Sequence, residues 1–79
     1  MNIYLVSQNE NTAYNTFDAF VCYAESKEQA RNMLPSIFID WENTLDYWVP
    51  SPNKVKVTYL GIGKDGAETG VIIASYNAG

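Results

Sequence analysis

Residues 17–29 read as a strand that runs straight into a capped helix, and the rest of the chain must fold around that junction. FDAFVCYA at 17–24 is the most β-prone run in the sequence. SKEQ at 26–29 follows at once and has the form of a capping box. In that motif Ser26 accepts from the backbone N–H of Gln29, and Gln29 reaches back to the N–H of Ser26. Ala30, Met33 and Leu34 then fall at i, i+3 and i+4, a narrow apolar stripe. Pro35 stops the helix, so it is expected over 26–34.

The other segments supply strands. Ile3 and Leu5 share one face of a first strand, with Tyr4 and Val6 on the other. In the second strand Phe17, Ala19, Val21 and Tyr23 oppose Phe20, Cys22 and Ala24. Apolar residues on both faces suit an inner strand, or an edge strand covered on both sides. Residues 8–15 between them form a polar, Asn-rich loop, long for a hairpin and either functional or mobile. Residues 54–61 alternate, with Val55, Val57 and Tyr59 inward and Lys54, Lys56 and Thr58 outward. A last strand covers 70–76, and Asp65-Gly66 predicts a hairpin turn between these two strands. The expected fold is therefore one α+β domain over residues 1–79, a small four-stranded antiparallel sheet (β-β-α-β-β) with one helix packed on a face.

A chain of 79 residues buries little surface, and Cys22 is its only cysteine, so no internal disulfide reinforces it. It has no histidine. The common zinc ligand sets and a Cys-His nucleophile are thereby excluded. No metal, no cofactor and no enzymatic activity are expected. Cys22 reads as a buried core thiol. The sequence carries no secretion signal at its start and no apolar run near the roughly 20 residues of a membrane span, so a cytoplasmic setting away from membranes is expected.

Nine acids against five bases give a net charge of −4. Lys27, Arg31, Lys54, Lys56 and Lys64 are scattered, so direct nucleic-acid binding is not expected. An acidic surface suits a basic partner, although plain solubility explains the same charge. Gly61-Ile-Gly-Lys-Asp-Gly66 matches G-x-G-x-x-G, but a strand and not a helix follows, so it reads as turn chemistry and not as a phosphate cradle. Ser75 and Asn77 place polar groups at a strand end, for a small polar ligand or for terminal backbone groups.

Residues 36–53 have no clean period. Ile37, Phe38 and Ile39 are consecutive apolar residues that must bury something. Trp41 and Leu45 lie four apart and Leu45 and Trp48 three apart, which permits a single helical turn. Between Asn32 and Asn53 there is no Lys or Arg, yet the stretch holds Asp40, Trp41, Glu42, Asp46, Tyr47 and Trp48. Those six residues are the candidate partner-binding surface, because tryptophan and tyrosine dominate interface hot spots and carboxylates steer basic partners. The competing readings are a solvated acidic face and rings that complete a small core, with one tryptophan in the core and the other exposed.

The strings IYLVSQ at 3–8, YNTFD at 14–18 running into AES at 24–26, VKVTYLG at 55–61 and IASYNAG at 73–79 together resemble small, mostly uncharacterised proteins encoded by tailed bacteriophages. The acidic strand–capped helix–strand layout is similar to that of several anti-CRISPR proteins, which act as stoichiometric inhibitors. The resemblance implies a phage-encoded, non-enzymatic inhibitor in the cytoplasm of the infected bacterium. Its expected partner is a host defence protein with a basic, nucleic-acid-binding surface, occluded by the acidic aromatic patch. A homodimer is compatible with this. The alternatives are a sponge for a signalling nucleotide, with aromatics stacking the bases and Lys64 or Lys54 at the phosphates, and a phage structural or interaction protein.

Overall fold

The computed structural model describes residues 1–44 and 46–77. Four strands form one antiparallel sheet: β1 (Asn2–Ser7), β2 (Thr16–Ala24), β3 (Lys56–Ile62) and β4 (Gly70–Asn77). One short helix, α1 (Lys27–Arg31), follows β2, and a 3-10 turn at Pro52–Lys54 precedes β3. The four-stranded sheet with a single helix is the α+β class that the alternation and the capping box predict.

The strand order is β3-β1-β2-β4. This corrects the expected hairpin between the last two strands. β3 pairs with β1 and β4 pairs with β2, so they occupy opposite edges. The Asp65-Gly66 turn does form: the Ala67 N–H donates to Lys64 O at 3.3 Å, and Gly66 has φ +79. It shapes a connection over 63–69 that crosses the end of the sheet. The Gly63 N–H holds that crossing to Met1 O at 2.8 Å. The physical reason is that β1 and β2, apolar on both faces, are both inner strands, and each needs a partner on its free edge.

The helix is shorter than predicted and ends at the C-cap Asn32. Ser26 caps it as expected, its Oγ accepting from the Gln29 N–H at 3.1 Å. The return bond differs: Gln29 Oε1 accepts from the Glu25 N–H at 2.6 Å, one residue earlier than the motif predicts. The residue before a proline avoids helical geometry, so Pro35 pulls the helix end back towards Asn32. Five residues do not make a stable helix alone. Ala30, fully buried, anchors this one to the sheet.

The core lies on one sheet face only. Tyr4, Val6, Phe20, Cys22, Ala24, Val55 and Val57 meet Ala30, Trp48 and Val49 there. Met33, Leu34 and Trp41 pack at its margin. The 8–15 loop is pinned: Gln8 Nε2 donates to Asn11 O at 2.7 Å and to Phe17 O at 2.8 Å, and the Asn11 side chain donates to Trp48 O at 2.9 Å. Thr16, buried, donates to Ala13 O at 2.6 Å. These bonds give the Asn-rich loop a packing role, in which it covers the end of the core.

Candidate protein-binding surface

The irregular segment from Pro35 to Val49 closes the core and exposes its turns. Its backbone is tied to the sheet where the Phe17 N–H donates to Tyr47 O at 2.8 Å. The Trp48 N–H donates to Thr44 O at 2.7 Å, an i to i+4 bond that supplies the single helical turn expected here. The proposed contribution of Leu45 to that turn lies outside the described residues.

The six candidate residues divide. Asp40, Glu42 and Asp46 are exposed. Asp40 Oδ1 accepts from the Glu42 N–H at 3.0 Å, and the Asp40 N–H donates to Asn43 Oδ1 at 3.0 Å, so side-chain bonds to backbone fix this turn. Among the described residues the one ion pair is Arg31–Glu28, at 3.7 Å, and none of the three carboxylates is neutralised by a base. Tyr47 is partly exposed. Trp41 is half-buried, and its indole N–H donates to Asn32 O at 3.1 Å. Trp48 is fully buried against Phe20, with ring centroids 5.5 Å apart. Trp48 is therefore the core tryptophan and does not contribute to a contact surface.

Sequence reasoning missed two residues. Ile37 is 93% exposed and Phe38 87% exposed, although a run of three apolar residues predicts burial; only Ile39 is buried. The signal was available, since successive residues cannot all face one core. Ser36 makes the turn that presents them, its Oγ accepting from the Phe38 N–H at 3.2 Å. Phe38 borders a hollow of about 370 Å³ together with Phe17, Tyr47, Tyr76 and Asn43. Phe17 and Tyr76 form its floor as a tilted pair with centroids 4.8 Å apart.

Elsewhere, the glycines of 61–66 lead into β4 and not into a helix, so the oriented N–H groups of a phosphate-binding helix start do not follow them. Burial pushes the Cys22 thiol up from its ordinary value, partly offset by a hydrogen bond with the backbone of Tyr4. A thiol in that state is a weak nucleophile. Among the described residues no group of three or more His, Cys, Asp or Glu is placed to hold a metal ion. Ser75 and Asn77 serve local structure: Ser75 Oγ donates to Asp18 Oδ2, and Asn77 Nδ2 donates to Thr12 O and Ala13 O, all at 3.3 Å. No known protein family, curated protein or solved structure matches this chain.

Proposed function

We propose that this protein acts by binding, not by catalysis, and that it blocks a basic, nucleic-acid-facing surface of a host protein. The resemblance to tailed-phage proteins makes a bacterial defence protein the intended target, met in the cytoplasm of the infected cell. One observation carries the reading. Two large apolar side chains, Ile37 and Phe38, stand almost fully in solvent beside Asp40, Glu42 and Asp46, in a stretch without a single base. Exposing such side chains is unfavourable by roughly 1.5–3 kcal/mol each relative to burial, which a partner would recover. The carboxylates steer a cationic partner to them. The contact surface is therefore Ile37, Phe38, Asp40, Trp41, Glu42, Asp46 and Tyr47.

The test is capture from a bacterial lysate with the wild-type chain and with Phe38→Ser, followed by a nucleic-acid binding assay on whatever only the wild type retains. The expected result is a nucleic-acid-binding protein that releases its nucleic acid when the wild-type chain is added. Identical captures with both chains would overturn the proposal.

A second reading, sequestration of a signalling nucleotide, is favoured by the aromatic hollow between Phe17, Phe38, Tyr47 and Tyr76, which offers faces for a base. Lys64 lies at the other end of the sheet, beyond the Ile62–Asn2 pair, and does not border that hollow. A nucleotide that raises the melting temperature in proportion to the logarithm of its concentration would favour this second reading.

A further inference from the structure

The hollow beside the 37–47 surface joins aromatic walls to an acidic surround. Four rings, those of Phe17, Phe38, Tyr47 and Tyr76, make up most of its described lining, and no described lining residue is charged. Acids stand immediately next to that lining in the chain. Asp18 follows Phe17, Asp40 follows Ile39, Glu42 precedes Asn43 and Asp46 precedes Tyr47. Next to Tyr76, Ser75 Oγ donates to Asp18 Oδ2 at 3.3 Å, which draws that carboxylate to β4 as well. All four acids are exposed, and among the described residues none is paired with a base. Adjacent Cα atoms are about 3.8 Å apart, well inside the roughly 8–10 Å over which a field persists at physiological salt. No Lys or Arg stands beside a lining residue in the chain. Lys54 and Lys56 line a separate hollow with Ser7, Gln8 and Asn9, and Arg31 pairs with Glu28.

We propose that this hollow receives an arginine side chain of the partner, with the guanidinium against the Phe17 and Tyr76 rings. The inference rests on the reading of this protein as a binder of a basic surface, and it names the group that is bound. A cation is attracted there twice, by the negative ring faces and by the surrounding carboxylates. A phosphate is repelled by the same field. Arginine suits the hollow better than lysine. Its planar guanidinium stacks on ring faces and is more weakly hydrated than an ammonium, so it leaves water more readily. The Tyr76 hydroxyl donates to Asn15 Oδ1 at 3.1 Å, which leaves lone pairs on the phenol oxygen to accept from a guanidinium N–H. The volume, about 370 Å³, is at the small end of the range for ligand pockets and in scale with one long side chain. Arginine is also the side chain that nucleic-acid-facing surfaces use on phosphates, so filling the hollow withdraws one from nucleic acid.

An NMR titration of the backbone amides of the purified chain with N-acetylarginine amide tests it, against N-acetylcitrulline amide, which has the same shape without the charge. The arginine probe is expected to shift the amides of Phe17, Phe38, Tyr47 and Tyr76 saturably, with a dissociation constant on the order of millimolar for so small a ligand. The citrulline probe should leave them in place, and N-acetyllysine amide should bind about threefold more weakly or worse. Tyr76→Leu keeps an apolar wall but removes a ring face. It should weaken the arginine probe by about threefold or more, with the spectrum away from the hollow unchanged. Glu42→Gln combined with Asp46→Asn should weaken the probe at low salt, by a factor that shrinks as salt rises.

An arginine probe that shifts none of these amides, equal shifts with citrulline, lysine binding as tightly as arginine, or adenosine monophosphate binding there in place of arginine would each overturn the proposal. The three amino-acid probes are compared on the wild type, so the result stands even if Tyr76→Leu fails to fold. No host protein is needed. A failed titration therefore leaves the capture with Phe38→Ser to test the blocking function, and a failed capture leaves the titration to test the hollow.

Discussion

Trp48 is wholly enclosed, yet its indole N–H finds no hydrogen-bond partner among the described residues. Such a donor costs roughly 1–3 kcal/mol when buried unpaired. Trp48→Phe removes that burden along with some volume, so the two effects oppose, and a net change below about 1 kcal/mol is expected from urea midpoints. Trp48→Ala leaves a large cavity and should cost about 3–5 kcal/mol, enough to unfold a domain of this size. Trp41→Ala should cost far less, because that ring lies at the core margin and its N–H bond is solvent-accessible. Cys22 makes a pH prediction. Its thiol is raised above the ordinary value of 9.0, chiefly by burial. The native state therefore keeps a proton that the unfolded chain has lost, and the stability associated with it is full below pH 9.0 and falls as pH rises beyond that value. Cys22→Ala should be about 1 kcal/mol less stable at pH 7 and should show a shallower decline as pH rises above 9.0, measured by denaturant unfolding. Equal declines in the two proteins would show that the thiol does not contribute.

At the scale of elements, α1 is five residues long and depends on its cap. Ser26→Ala removes the bond to the Gln29 N–H and should cost about 1 kcal/mol. An unchanged melting temperature would mean that the Gln29–Glu25 bond alone holds the helix start. The crossing over 63–69 depends on a glycine. A Cβ at Gly63 would run into the Tyr23 ring and the Ile3 side chain. Gly63→Ala should therefore destabilise by about 1–3 kcal/mol, readable as a drop in melting temperature. The strands themselves were legible because period-2 alternation is a local property: Tyr4 and Val6 lie in the core, and Ile3 and Leu5 lie opposite. Their order was not, because Asp65-Gly66 specifies a turn without specifying which strands pair. The site was half legible. Its three carboxylates were visible in the composition of residues 40–46, whereas Trp41 and Trp48 were not separable in a segment without a period. That Ile37, Phe38 and Ile39 could not all be buried was legible, since successive residues cannot all face one core, but which of the three stays exposed is decided by packing at the Ser36 turn.

For the whole molecule, one sheet face builds a core with α1 and the irregular segment, and that segment in turn displays the acidic, apolar surface from Ile37 to Tyr47. A contact of this composition has two separable terms. Its carboxylates act at a distance, through a field screened over about 8–10 Å at physiological salt. Ile37 and Phe38 act only on contact, by leaving water. Reversing Asp40, Glu42 and Asp46 to lysine should therefore slow association with the captured partner by roughly tenfold or more at low salt, with the effect shrinking as salt rises. Dissociation should change little, and so should the melting temperature, since all three side chains are exposed. Phe38→Ser should do the reverse, leaving the association rate near that of the wild type and speeding dissociation by an amount equivalent to about 2 kcal/mol if Phe38 is a central anchor. Its 87% exposure predicts no loss of fold stability in the free protein. Stopped-flow association at several salt concentrations and surface-plasmon dissociation rates separate the terms. Charge-reversed chains that associate like the wild type at every salt, together with an unchanged dissociation rate for Phe38→Ser, would place the partner contact outside residues 37–47.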